Sequence, residues 1–400
     1  MPAGLIAVLA VGHLVVDLCQ GALPLLLPIL KETFQLSYTA VGAVVLIASF
    51  SSSIVQPLFG IFSDRFSFRW LLPLGCFLTC LGFGAASVAS TFWMVLLAIF
   101  IGGLGCAAYH PEGARATFFI TRRLRATMMS FYSFGGNVGF GLGPLAAAFL
   151  IATWGREGFA AGLLVPGVLM AVVLSMALPA IGRESASVQS AVRQRVGADG
   201  GPREVRWAPL TNLVAVISLR SFIHAGMTTF IPLYYMNYIG GSITQAGQLL
   251  SVFLLAGALG TLTGGPLADR WGCKNLILAS FAAAFVPLLV FPHLTGIWML
   301  VAVYIAGYTI ISSFAPTAVM AQELAPGAVG LASGLAFGFA IGMGGIGAIL
   351  LGLVADHWGL PLALTIIGLL PVPAFILTWL LPVTGEKSPA RLTEQANTAS

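Results

Sequence analysis

Two pairs of ionisable side chains stand four residues apart inside apolar stretches, His13 with Asp17 and Arg220 with His224, and a third group, His110, Glu112 and Arg115, interrupts another. In hydrocarbon such a group costs about 3 kcal/mol or more unless it faces protein, a counter-charge or a wet cavity, so each marks a candidate functional position. A spacing of four puts each pair on one helix face, and Gln20 and Gly21 continue the first stripe. A carboxylate desolvated among apolar neighbours, or an imidazole, can take up and release a proton within the physiological range. His13, His110, Asp17 and Glu112 also make an N/O ligand set that suits a divalent metal as cargo. Blander roles stay open for several of them. Asp17 with Arg220, or Glu112 with Arg115, can pair merely to lock helices together. Arg115 can snorkel to the interface, His224 can be a hydrogen-bonded packing residue, and Asn137 can join helices.

The elements that must position these groups are membrane helices. Hydrophobic residues make up 58% of the 400-residue chain and charged residues only 8%, and the mean hydropathy of +0.98 is far from that of a soluble domain. Apolar runs lie at 4–30, 38–62, 70–90, 92–118, 125–153 and 159–180, then at 209–236, 244–267, 275–292, 296–321, 328–354 and 361–382. A bilayer core takes about 20 apolar residues per helix, so the expected fold is an all-α membrane protein with twelve transmembrane helices in two six-helix halves. Counting 1.5 Å per residue places His13, His110 and Arg220 in one layer, roughly 13–17 Å from the cytoplasmic helix ends.

The halves are expected at 1–180 and 209–383, joined by a polar linker at 181–208 and followed by a disordered tail at 384–400. With both termini in the cytoplasm, Arg65, Arg69, Arg122, Arg123, Arg125, the linker arginines, Arg270 and Lys274 lie on that side, while Lys31 and Arg156 fall outside. The net charge of +5 is therefore a topology signal and does not indicate a nucleic-acid partner. The first run lacks a basic leader, carries His13 and Asp17, and reads as an uncleaved helix. Cys19, Cys76, Cys80, Cys106 and Cys273 form no CxxC pair, so neither a disulfide framework nor a zinc site is expected. HExxH, GxSxG and Walker A sequences are absent, which disfavours an enzyme. A non-transporting sensor would have no need of titratable groups at the midplane.

An offset of 205 residues superposes GIFSDRFSFR (60–69) on GPLADRWGCK (265–274), His110-Pro111-Glu112 on Ala315-Pro316-Thr317, and Gly139 on Gly344. The duplicated G-x-x-x-D-R-x-x-x-[RK] loop resembles the signature of the major facilitator superfamily. GFGLGP at 139–144 is similar to the antiporter motif of its drug/proton exchangers. GHLVVDLCQ (12–20), YHPEGAR (109–115) and GGNVGFGLGP (135–144) together look like the fosmidomycin resistance group of efflux transporters. One departure stands out: Ile99 occupies the place of the Arg usual before the Gly-x-Gly of drug exporters, so that proton relay cannot be carried over.

The resemblance implies a central cavity lined by helices 1, 4, 7 and 10 and proton-coupled export of a small toxic compound from a bacterial inner membrane. No cofactor is implied, and a monomer is expected. The proton carriers are then Asp17 and Glu112, with His13 and His110 next. A phosphonate or similar anion would meet Arg220 and Arg115, with His224, Gln20 and Asn137 as further contacts. Asp64, Arg65, Arg69, Asp269, Arg270 and Lys274 are expected to gate the cytoplasmic side, a carboxylate resting on a neighbouring helix N-terminus. Gly139, Gly143 and Pro144, with the Gly-rich run 338–347, are expected to pack closely between the halves. Pro111 frees a backbone carbonyl and bends its helix. Because Ala315-Pro316-Thr317 keeps the Pro but carries no charge, Thr317→Val is expected to be nearly silent.

Overall fold

Long apolar runs that must satisfy their own backbone groups in hydrocarbon become helices, and in the computed structural model no strand occurs among the described residues, which are 2–56, 58–59, 69–120, 125–195, 205–325, 332 and 334–383. In chain order, α1 spans Pro2–Thr33, α2 Tyr38–Ser49, α3 Leu71–Val88 and α4 Phe92–Ile120. A π-helical turn, Phe50–Ile54, continues α2. The helix Arg125–Arg195 breaks at Gly155 (φ 69, ψ −158), a conformation that only glycine adopts easily, which divides it into α5 (125–154) and α6 (156–195). The second half comprises α7 (Trp207–Leu233), α8 (Ile243–Trp271) and α9 (Cys273–Val290). It continues with α10 (Gly296–Ser312, extended by Phe314–Leu324), α11 (Ala340–Trp358, after a π-helical Gly334–Phe339) and α12 (Leu360–Leu369, extended by Pro371–Trp379).

Nine described helices are long and apolar enough to cross a membrane, one of them the broken Phe131–Glu184, and Tyr38–Ser53 and Gly342–Trp358 are shorter apolar helices. With the broken helix counted twice and the two shorter helices included, the described residues are consistent with twelve crossings. α6 runs on as helix to Arg195, through the first part of the expected linker, whereas 384–400 lies outside the described residues. All eight tryptophans, Trp70, Trp93, Trp154, Trp207, Trp271, Trp298, Trp358 and Trp379, are exposed and stand at or next to helix ends. That is the arrangement of an interfacial aromatic belt.

Cations close several helix ends. Arg156 donates from Nε to the Ser87 carbonyl and from Nη2 to the Ala89 carbonyl (3.2 Å), tying the start of α6 to the end of α3. Lys274 donates from Nζ to the carbonyls of Trp379 (2.7 Å) and Leu381 (2.5 Å). This residue, expected among the gating cations, thus caps α12 of its own half.

The glycine run of α5 is placed differently from the sequence expectation. Gly135, Gly139 and Gly143 face α1 of the same half: a Cβ at Gly135 would enter the Ala10 carbonyl, one at Gly139 the Leu14 carbonyl, and one at Gly143 would lie 2.5 Å from the Gly21 carbonyl carbon. Residues four apart share one face, whereas a residue two along points away. Accordingly it is Gly141 that meets Leu255 of α8, across the halves. The Pro144 carbonyl also lies against α8, 2.9 Å from where a Gly247 Cβ would be. Gly344 and Gly347 repeat the α1–α5 arrangement against Ser221 and Phe222 of α7, and Gly345 faces Leu46 of α2.

Candidate functional site

α1 and α4 bring together three of the residues singled out in the sequence. Asp17 accepts from His110 Nε2 at 2.8 Å on Oδ1 and from Gln20 Nε2 at 3.1 Å on the same oxygen, while its Oδ2 lies 3.2 Å from His13 Nε2. The i, i+4 spacing sets His13 over Asp17, and the matching depth of α4 supplies His110. His13 is held on its other side by α5, where Nδ1 donates to the Tyr132 carbonyl at 3.0 Å and the two rings stack with centroids 4.3 Å apart. Gly136 makes room: a Cβ there would lie 2.5 Å from both Asp17 Oδ2 and His13 Nε2. The cluster is not sealed, because His13, Asp17 and His110 keep side-chain exposures of 13%, 14% and 21%, enough for a small ion to reach them.

The hydrogen-bond pattern constrains the protons. A backbone carbonyl can only accept, so His13 Nδ1 carries a hydrogen. In neutral His13 the remaining nitrogen, Nε2, is then an acceptor, and it faces a carboxylate oxygen. Two acceptors 3.2 Å apart repel, so a proton held on either His13 or Asp17 stabilises this contact. The ligand atoms of His13, Asp17 and His110 also lie within 4.8 Å of one another, which makes a divalent cation the competing occupant.

Glu112 does not join this cluster. It is buried and accepts from Arg115 Nη1 on both carboxylate oxygens at 3.2 Å, one turn along the same helix. Two residues on from His110 its side chain leaves α4 on another face. Of the remaining expected contacts, Asn137 is half-buried on α5 next to Gly136.

Across the molecule Arg220 is buried in the second half with 3% exposure. Its Nη1 donates to Thr317 Oγ1 at 3.0 Å, and the guanidinium lies over the Phe314 ring, 4.9 Å from its centroid. Among the described residues no carboxylate pairs with it, so the expected alternative of an Asp17–Arg220 lock is not formed. One turn along α7, His224 lies between Phe253 of α8 and Phe140 of α5, at 5.8 and 6.3 Å between ring centroids. The expectation for Thr317 needs correcting: although uncharged in sequence context, it is the hydroxyl on which the buried Arg220 rests. Its alignment with Glu112 in the repeat is matched by burial of both positions, but gave no sign of the Arg220 contact.

The expected gating residues are only partly visible. Asp64 and Arg65 lie outside the described residues, as does the side chain of Asp269. Arg69 sets its guanidinium against Gly182 of α6, and Arg270 is exposed. The structure displays the expected chemistry, a carboxylate on a helix N-terminus, at the opposite end. Asp356 of α11 accepts from the backbone N–H groups of Tyr38 (2.6 Å) and Thr39 (2.9 Å) and from the Thr39 hydroxyl (2.5 Å), capping α2 of the other half. Beneath it the halves close tightly: Cβ atoms at Gly352 and Gly42 would lie 2.6 Å from the Tyr38 carbonyl and 2.7 Å from the Ala348 carbonyl. Nothing near Asp356 in sequence pointed to a partner 318 residues away. Loss of a helix cap is worth about 1 kcal/mol. Asp356→Ala is therefore expected to raise the open population at this end about fivefold, read as faster amide exchange in 37–49 and 342–352. Unchanged exchange there would show that the cap does not hold the halves together.

The Major Facilitator Superfamily model matches residues 9–345 and 213–399 of the chain. The chain is 34% identical over 382 residues to the fosmidomycin resistance protein of Escherichia coli (strain K12), covering 95% of this chain and 93% of the relative. It is 32% identical to the uncharacterized MFS-type transporter YfnC of Bacillus subtilis (strain 168), with 94% and 92% covered. Among solved structures it is similar to the inward open xylose transporter XylE from E. coli, with TM-score 0.75, 16% identity and coverage of 97% and 98%. A bacterial homolog of the human lysosomal transporter Spinster, inward-facing and occupied, gives TM-score 0.73 at 15% identity over 95% and 96%.

Proposed function

This chain belongs to the Major Facilitator Superfamily and is a multi-pass membrane transporter, and from that premise we propose that it is a proton-coupled exporter of a small anionic toxic compound, of which a fosmidomycin-like phosphonate is the representative. The observation that carries the reading is the His13–Asp17–His110 cluster, where a proton held on His13 or Asp17 relieves the contact of two acceptors 3.2 Å apart. Losing that proton leaves two acceptors face to face and breaks the pair, so proton occupancy and local structure are linked. In the other half Arg220 is a buried cation that no carboxylate among the described residues pairs with, a place for an anion to supply the missing charge. The similarity to a fosmidomycin resistance protein over nearly the whole chain supports a phosphonate as that anion.

Alternating access then works as follows. The halves rock about the midplane, with Asp356 and the α2–α11 and α5–α8 seams holding the α1–α2 end shut in the state described. The excess of Lys and Arg at the other end supports cytoplasmic termini in a bacterial inner membrane, with the closed end on the outer side. From inside, the phosphonate reaches Arg220. On the outside, proton uptake by the Asp17 cluster restores the paired arrangement and allows the return. A monomer contains both groups and is sufficient for the cycle.

The test is flux in vesicles made from cells producing the protein, with and without a pH gradient, across fosmidomycin, a cationic dye and Zn2+. Fosmidomycin movement that is abolished when the gradient is collapsed is the expected result. Zn2+ or dye movement without phosphonate movement would overturn the choice of substrate, and flux indifferent to the gradient would overturn the coupling.

A further inference from the structure

We infer that Tyr132 is the positioning residue of the proton site: it fixes His13 as the tautomer with hydrogen on Nδ1 and so presents Nε2 to Asp17. The inference rests on the proton-site reading above and adds a residue that no motif marked. Tyr132 touches both histidines that flank Asp17. Its carbonyl accepts from His13 Nδ1 at 3.0 Å, its ring stacks on the His13 imidazole at 4.3 Å with 24° between planes, and its hydroxyl reaches the His110 carbonyl at 3.5 Å. The groups facing His13 are Asp17 on α1, Tyr109 and His110 on α4, and Tyr132 on α5. Of these only Tyr132 both bonds the far nitrogen and covers the ring.

The glycines of α5 and α4 explain why the carbonyl lands there. Gly135 and Gly139 let α5 ride directly on the Ala10 and Leu14 carbonyls, which sets the register of Tyr132 against His13. Gly136 leaves open the space where Asp17 and His13 meet, and Gly113 the space taken by the Tyr132 hydroxyl. The glycine-rich stretch thus does more than thin a helix interface; it delivers one backbone acceptor to one imidazole nitrogen. A histidine whose distal nitrogen is held this way keeps its ring orientation and its tautomer, and removing such an orienting partner costs function about 10–100-fold elsewhere.

The test combines a spectrum with two fluxes. The full-length protein in nanodiscs, labelled with 15N at its five histidines and assigned with His13→Asn, should show His13 as the Nδ1–H form when neutral. Tyr132→Phe should keep that signature, and Tyr132→Leu, which keeps the carbonyl but no longer covers the imidazole, should free the His13 ring to turn away from that carbonyl and collapse the signature to an averaged signal. In proteoliposomes Tyr132→Leu should lower gradient-driven fosmidomycin flux about tenfold, while exchange at equal pH stays within about twofold and Tyr132→Phe matches wild type. An Nε2–H form in the wild type, an unchanged signature in Tyr132→Leu, or an equal loss of both fluxes would overturn the inference. Wild-type flux that ignores the gradient would instead refute the coupling reading, and the spectrum would still decide the positioning claim.

Discussion

Asp17→Asn should lower gradient-driven transport about 100-fold or more and leave the protein folded. An asparagine offers one acceptor oxygen and one amide donor in the shape of a protonated carboxyl. Its Oδ1 can still accept from His110 and Gln20, and its Nδ2 can donate to His13 Nε2, replacing the contacts now made by Asp17. What it cannot do is release a proton. The variant is therefore a permanent mimic of the loaded site, and substrate exchange at equal pH should survive while accumulation against a gradient does not. Transport and thermal unfolding measured on the same preparation separate the two outcomes. A destabilised protein would point to a structural lock, and a variant that still pumps would remove Asp17 from the mechanism.

Arg220→Leu should weaken substrate binding strongly without harming the empty protein. A buried cation resting on one hydroxyl and one aromatic ring is incompletely compensated, so its removal should leave the melting temperature of the substrate-free form unchanged or raised. A charged hydrogen bond to a bound anion is worth about 1.5–3 kcal/mol, which corresponds to a loss of affinity of about 10–150-fold. Arg220→Lys should recover part of it, since a lysine keeps the charge but loses the planar fork. Thr317→Val, which strips the hydroxyl that orients the guanidinium, should weaken binding several-fold less than Arg220→Leu. Titration of purified protein with fosmidomycin measures all three. An Arg220→Leu protein that melts lower and binds normally would make Arg220 a packing residue.

Much of this architecture could be read from the chain because membrane helices are written in long apolar runs, and the break at Gly155 falls in the polar gap between the fifth and sixth of them. Within the site, the His13–Asp17 pair was legible from its spacing of four, and His110 from its depth along α4. Glu112 was not separable from His110 by those means. Depth treats neighbours alike, and only the structure shows Glu112 turned to Arg115. Contacts between distant segments left no local trace. No motif marked Tyr132, since its role rests on a backbone carbonyl placed by a glycine seam and on a ring that holds His13 against it. Thr317 looked inert because its partner is on another helix. Asp356, which no motif marked, caps α2 of the opposite half.

The central claim is that the His13–Asp17–His110 cluster carries the coupling proton, and the most direct measurement is proton movement during substrate flux. In proteoliposomes enclosing a pH-sensitive dye, fosmidomycin transported by the wild-type protein should drive protons in the opposite direction, and Asp17→Asn should exchange fosmidomycin with no proton signal. Fosmidomycin crossing the membrane through the wild-type protein without accompanying protons, or an undiminished proton signal in Asp17→Asn, would contradict it.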